Sequence, residues 1–178
     1  MKNLTSYIGK NLEWKGRTLN FKPEEIFCGN ELVARIRWYG PNLVFSKRRF
    51  LAEGKIKEGK WTFYRKGFLL DRKIIAEKSR KRVAICNYTM GSDLKIEMTN
   101  GRIFRVRQQG ILHPKYFLEA PGGKKIFTVE INLLKALALK KAVKINVGKN
   151  ASLVKESPFL FLFFIYFLSI LTWDTRFI

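Results

Sequence analysis

The stretch Phe159-Leu-Phe-Leu-Phe-Phe-Ile-Tyr-Phe-Leu-Ser-Ile-Leu-Thr-Trp173 decides how this chain must be read. It is apolar on every side, and it follows a chain that is otherwise polar and basic. The formal net charge is +21, and Met1–Ser157 carries all of it, because Asp174 and Arg176 cancel. A helix that is apolar all round has to be surrounded by something apolar. Either a bilayer or the interior of its own fold can do this. Pro158 suits the first turn of such a helix, and Asp174 ends the run. From Pro158 to Trp173 the run is 16 residues, whereas a bilayer-spanning helix needs roughly 20 and at least about 17.

The rest of the chain alternates with period two. Leu32, Ala34, Ile36 and Trp38 share one face, with Arg35 and Arg37 on the other. Trp61 and Phe63 oppose Lys60, Thr62 and Tyr64. Leu94, Ile96 and Met98 oppose Lys95 and Glu97, and Phe104 and Val106 oppose Arg105 and Arg107. Val143, Ile145 and Val147 repeat the scheme. This pattern predicts antiparallel strands with one dry and one wet face. Turn signals fall between the runs: Tyr39-Gly40-Pro41-Asn42, Glu58-Gly59, Lys66-Gly67, Gly91-Ser92-Asp93, Asn100-Gly101 and Pro121-Gly122-Gly123. Asn100-Gly101 between alternating segments is the strongest hairpin signal. Asn132–Lys141 reads as a short helix or as a loop leading into a strand. No linker divides the chain, so residues 1–178 are expected to form one domain.

A sheet of about ten or more strands curls, splits or closes. A closed barrel has no edges, but at about ten to twelve strands it is too wide for its own side chains to fill. A central helix is one solution, and Phe159, Phe161, Phe163, Phe164 and Phe167 supply bulk for a wide lumen. The fold expected is therefore mainly β: a closed antiparallel barrel of about twelve strands with the hydrophobic C-terminal helix, 158–173, through its centre. The alternative is a C-terminal membrane anchor, with Lys155 on the cytoplasmic flank and Trp173 at the far interface.

Little in the chain points to catalysis. The one histidine, His113, precedes Pro114 and reads as a loop residue. Cys28 and Cys86 are far apart and read as reduced, buried thiols, in keeping with a reducing compartment. Neither a zinc-ligand spacing, a GxSxG elbow nor a phosphate-binding GxxxxGK[ST] loop is present. The acidic residues are scattered and read as surface charges. No catalytic residue, metal or cofactor is expected. The N-terminus has no apolar core of a secretory signal.

The basic residues remain. A pI near 10.2 predicts attraction to polyanions. Lys47-Arg48-Arg49, Arg65-Lys66 and Arg72-Lys73 are small clusters. Lys78-Ser79-Arg80-Lys81-Arg82 is the densest. Arg102, Arg105 and Arg107 share an outer face, beside Arg35 and Arg37 if the strands pair suitably. The candidate anion- or lipid-binding residues are Lys78, Arg80, Lys81, Arg82, Arg105 and Arg107. Anionic phospholipid at a membrane surface is the expected partner. Nucleic acid is the weaker one, because no helix-turn-helix, zinc finger or RNP motif accompanies the charge. Of the aromatics, Tyr39, Tyr64 and Tyr88 could stack, while Trp38, Trp61 and Phe63 face inward.

Taken in order, the basic alternating strands, the block Glu58-Gly59-Lys60-Trp61-Thr62-Phe63-Tyr64-Arg65-Lys66-Gly67-Phe68, the hairpin Thr99-Asn100-Gly101-Arg102 and the apolar terminus Phe159–Leu171 resemble the tubby C-terminal-like superfamily. This group includes the phospholipid scramblases and LURP-one-related proteins, and the chain looks like a small bacterial-type member. The resemblance implies a roughly twelve-stranded barrel threaded by a hydrophobic C-terminal helix. It also implies a binding module rather than an enzyme, cytoplasmic or peripheral on the inner membrane face. No acidic loop with calcium-ligand spacing is present, so lipid translocation is not implied.

Overall fold

The computed structural model describes residues 1–15, 23–39, 49–67, 72–87, 94–110, 114–131 and 143–174. Twelve strands form: β1 (Asn11–Lys15), β2 (Glu24–Cys28), β3 (Glu31–Trp38), β4 (Arg49–Ile56), β5 (Gly59–Lys66), β6 (Lys73–Lys78), β7 (Lys81–Asn87), β8 (Leu94–Met98), β9 (Ile103–Gln109), β10 (Lys115–Glu119), β11 (Lys125–Ile131) and β12 (Val143–Val147). Each pairs antiparallel with its sequence neighbours, and β1 pairs antiparallel with β12, closing the barrel. Helix α1 (Ser157–Asp174) follows. The architecture is the one the period-two pattern and the apolar terminus predict. The readings of Gly40-Pro41-Asn42, Lys47-Arg48, Phe68-Leu69-Leu70, Tyr88, Gly91-Ser92-Asp93, His113 and Asn132–Lys141 fall outside the described residues.

Every side chain of α1 from Phe159 to Ile170 is buried. The helix occupies the lumen, and its rings interlock with those of β5 and β11. Phe63 stacks on Tyr166 at 5.1 Å and meets Phe163 edge-on at 6.0 Å, while Phe127 meets Phe161 edge-on at 5.3 Å. The two polar side chains are partnered, as burial demands. Tyr166 donates its hydroxyl to Phe50 O (2.7 Å), and Ser169 donates to Glu24 Oε2 (2.6 Å). No helix among the described residues is long and apolar enough to cross a membrane.

The helix lies closest to β3, β4 and β5. Gly54 on β4 permits this approach: a Cβ there would stand 2.7 Å from the Phe63 ring and 3.3 Å from Leu162. The tight connections β2–β3, β4–β5, β6–β7, β8–β9 and β10–β11 share one end of the barrel, and α1 enters from that end. Two short 3-10 turns close it, Leu4–Tyr7 and Lys149–Leu153. Leu4 and Tyr7 are buried there, and Glu58 accepts the Leu4 N–H. Glu156, just before α1, is fastened to Arg102 and Asn100 of the β8–β9 turn.

The inward positions are those the alternation predicts, with local exceptions. In β3 the register shifts beside Ile26, so Val33 is fully buried next to Ala34, and Leu32 is only half-buried. The expectation that Leu32 faces inward fails because a bulge places two consecutive residues against the core. Tyr64 lies outside the lumen yet is buried, and it donates its hydroxyl to Glu77 (2.6 Å). Glu24, Glu119 and Glu156 are buried rather than surface charges, and each is held by a partner: Ser169, Arg107 and Arg102.

Candidate anion-binding surface

The β6–β7 hairpin carries four of the six candidate residues. Its two-residue connection, Ser79-Arg80, has positive φ at both positions, +51° and +65°. That is the backbone of a type I′ turn, whose twist matches the flanking strands and which normally selects Asn-Gly. Here two ordinary L-residues occupy it at a conformational cost. Lys78 stands directly opposite Lys81, and Arg82 is in register with Glu77. Lys78 lies over the Trp61 ring at 5.1 Å. Arg80, Lys81 and Arg82 are exposed, and among the described residues no ion pair engages them.

Arg105 and Arg107 project from β9, because Phe104 and Val106 take the core positions. Outward residues run in register across the sheet: Lys66 opposite Lys73, Lys73 opposite Asn87, Asn87 opposite Lys95, Lys95 opposite Arg105, and Arg105 opposite Glu119. Like charges directly opposite each other are destabilising. Among the described residues, neither Lys95 nor Arg105 has an ion-pair partner. Arg107 reaches Glu119 through Nε at 3.4 Å. On the neighbouring strand Phe117 is buried beneath Lys125, whose Nζ lies 3.8 Å from the ring centroid.

Between these strands and the β10–β11 turn lies a groove of about 720 Å³, lined by Lys95, Arg102, Arg105, Arg107, Glu119 and Gly123 among others. The Ala120-Pro121-Gly122-Gly123 turn closes with Gly123 N–H donating to Ala120 O (3.0 Å) and Gly122 at φ +82°. Proline then glycine at the two central positions is what a type II turn requires. A Cβ at Gly122 or Gly123 would meet nothing within 4 Å, so this edge of the groove is open.

The six candidates thus divide into two patches on adjacent hairpins. Lys78, Arg80, Lys81 and Arg82 lie in the β6–β7 hairpin, and Arg105 and Arg107 line the groove. The β7 and β8 sides are joined by Thr99 N–H donating to Val83 O (3.0 Å). Arg35 and Arg37 do not join them. They sit on β3, six strands from β9 in a ring of twelve. Arg65 is buried inside, over the Phe50 ring at 4.4 Å. Lys95 was legible only as an outward residue. Its place opposite Arg105 depends on register, which alternation does not fix.

Both cysteines are free, Cys86 buried and Cys28 half-buried, so the expectation of two buried thiols holds for one. Burial, then the charge of Glu97, pushes the Cys86 thiol up to about 12, which keeps it protonated and unreactive. Among the described residues, no group of His, Cys, Asp or Glu could hold a metal ion. No protein-family model, curated protein or solved structure matches the chain.

Proposed function

We propose that this barrel is a non-enzymatic binding module that holds anionic phospholipid headgroups at a membrane surface. The observation that carries the reading is the wall from β6 to β9, where Lys78 faces Lys81 and Lys95 faces Arg105 and, among the described residues, none of the four has an ion-pair partner. Such pairs lower stability unless an anion joins them. Arg and Lys both bind phosphate well, Arg through its planar fork. The strained Ser79-Arg80 turn points the same way, since local strain concentrates at functional positions. Lipid is favoured over nucleic acid because base stacking needs exposed rings. Among the described residues Tyr39 is the exposed aromatic, and its hydroxyl is bound by Glu53. A cytoplasmic, peripheral protein, akin to tubby-type barrels in strand number and enclosed helix, fits this reading.

Co-sedimentation with vesicles tests it, comparing phosphatidylcholine alone with phosphatidylcholine plus phosphatidylserine. The wild type should bind only the anionic vesicles and should be released by salt. Each basic residue near an anionic surface contributes about 1 kcal/mol. Replacing Lys78, Arg80, Lys81 and Arg82 with Gln should therefore weaken low-salt binding by about two to three orders of magnitude. Unchanged binding would remove the hairpin from the site. Binding to duplex DNA with no lipid preference would favour the nucleic-acid reading. Retention through high-salt and carbonate washes would mean α1 has left the barrel for the bilayer, which is the anchor reading.

A further inference from the structure

We infer that the protein docks end-on to an anionic bilayer, through the barrel rim that carries the tight connections, with Leu153 entering the headgroup boundary. This docking mode rests on the membrane reading above and deepens it, fixing the face and adding an apolar contact to the charge.

Exposed apolar side chains gather at this rim. Among the described residues the large exposed hydrophobics are Met1, Tyr39, Ile103 and Leu153. Met1 precedes the 3-10 turn Leu4–Tyr7, Ile103 opens β9 directly after the β8–β9 turn, and Leu153 ends the turn Lys149–Leu153. Tyr39 follows β3 at the opposite end. Single exposed hydrophobics need no explanation, but Leu153 is 72% exposed while Ala151 and Val154 beside it are buried. The segment is also held firmly. Gly148 N–H donates to Ile126 O (2.8 Å), Asn150 Nδ2 to Lys125 O (3.0 Å) and Ser157 Oγ to Ala151 O (2.6 Å). Leu153 is therefore presented outward by a turn already ordered, which lowers the cost of binding through it.

The charge around it is positive. Lys149 and Lys155 flank Leu153, and Lys57, Arg80 and Lys124 lie in the β4–β5, β6–β7 and β10–β11 connections. All five are exposed, and among the described residues no ion pair engages them. Across residues 1–10, the tight connections and residues 148–156, the carboxylates are Glu58 and Glu156. Glu58 accepts the Leu4 N–H, and Glu156 holds Arg102.

An anionic bilayer satisfies both features. Its surface attracts Lys and Arg, and its headgroup–acyl boundary accepts an apolar side chain flanked by basic ones. A second copy of this rim would set like charge against like charge, and a nucleic-acid backbone offers Leu153 no apolar contact. The tip of the β6–β7 hairpin reaches the rim, so Arg80 serves both the hairpin patch and the end.

An environment-sensitive fluorophore on the full-length protein tests the orientation. Cys28→Ser removes the half-buried thiol, while Cys86 is buried and protonated and stays unlabelled. Leu153→Cys then places the label at the rim. Asn87→Cys places it on the β6–β9 wall, exposed and in register between Lys73 and Lys95. With phosphatidylcholine–phosphatidylserine vesicles the label at 153 should brighten and shift to the blue, and the label at 87 should not. In the unlabelled protein Leu153→Ser should weaken sedimentation with these vesicles roughly tenfold, the loss expected when one Leu no longer leaves water. Thermal melts matching wild type establish that each variant is folded. A signal at 87, alone or beside one at 153, means the wall lies on the bilayer; this overturns end-on docking and leaves the membrane reading standing. Vesicle binding with a signal at neither position, or binding that Leu153→Ser leaves unchanged, does the same. A vesicle-free dimer that Leu153→Ser splits gives Leu153 to a second copy and overturns end-on docking. If wild type fails to sediment with anionic vesicles, the membrane reading falls, and end-on docking falls with it.

Discussion

The β2–β5 wall and the β6–β9 wall of the barrel are both rich in Lys and Arg, but they treat those charges differently. On the first, Glu25 accepts from Arg35 Nε at 2.8 Å, and Glu53 takes Lys60 at 2.6 Å and the Tyr39 hydroxyl at 3.0 Å. Lys55 stands between Arg35 and Lys60 in register, yet both neighbours are tied to carboxylates. Helix α1 also leans on this side. On the second wall, Lys78 faces Lys81 and Lys95 faces Arg105. A net charge of +21 does not distinguish the two walls. The ion pairs do, and they separate charge that supports the fold from charge left for a ligand.

The largest effect should come from breaking the wall that carries the helix. In Gly54→Ala the new methyl would meet the Phe63 ring at 2.7 Å. That ring is packed against Phe159, Phe163 and Tyr166, so it has no free direction in which to move. Overpacking of this kind costs about 1–3 kcal/mol. Urea denaturation should show a lower midpoint with an unchanged slope. A midpoint equal to wild type would mean that α1 does not press on β4.

A smaller effect of opposite sign is expected on the other wall. Ser79 and Arg80 hold the left-handed conformation without being glycine or asparagine. Replacing them with Asn-Gly gives the turn its preferred residues and should stabilise the protein by about 1 kcal/mol. The same variant should bind anionic vesicles less well, because Arg80 is gone. Gain in stability with loss of binding would show that the strain is kept for the sake of the charge. Loss of both would assign the turn a structural role and weaken the contrast between the walls.

What could be read from the chain follows from what alternation encodes. Phe104 and Val106 against Arg105 and Arg107 reveal which face is dry, and the all-round apolar Phe159–Trp173 requires an enclosure. The closed barrel with its threaded helix was therefore legible. The groove was not. It depends on Lys95 meeting Arg105 and on Glu119 meeting Arg107, pairings between residues 10 and 12 positions apart on different strands. Alternation marks a side chain as outward without saying what stands beside it. Bulges add a second limit: the one at Val33 buries two neighbours in a row, and no local residue announces it. The clustered Lys78–Arg82 was visible because a tight hairpin keeps sequence neighbours together in space.

The finest test exchanges the chemistry of the two walls one residue at a time. In Lys95→Glu a carboxylate would stand opposite Arg105, with Asn87 on its other side, copying the Glu25–Arg35 arrangement. Turning a repulsive cross-strand pair into an attractive one should add roughly 0.2–1 kcal/mol at neutral pH. Glu53→Gln does the reverse and should cost at most about 1 kcal/mol, as exposed pairs usually do. Acid then supplies the sign. Burial pushes the Glu53 carboxyl up, but hydrogen bonds from Lys60 and Tyr39 and the Lys60 charge outweigh it and hold it below its ordinary value. A depressed carboxyl contributes stability above its unfolded value and loses it as pH falls through the folded one. Wild type and Glu53→Gln should therefore differ at neutral pH and converge once pH drops below the ordinary carboxylate range. The gain from Lys95→Glu should fade over the same acid range, since it too depends on an ionised carboxylate. If Lys95→Glu instead destabilises the fold, Lys95 and Arg105 are not a repulsive pair, and the distinction between the two walls fails at the residue on which it most depends.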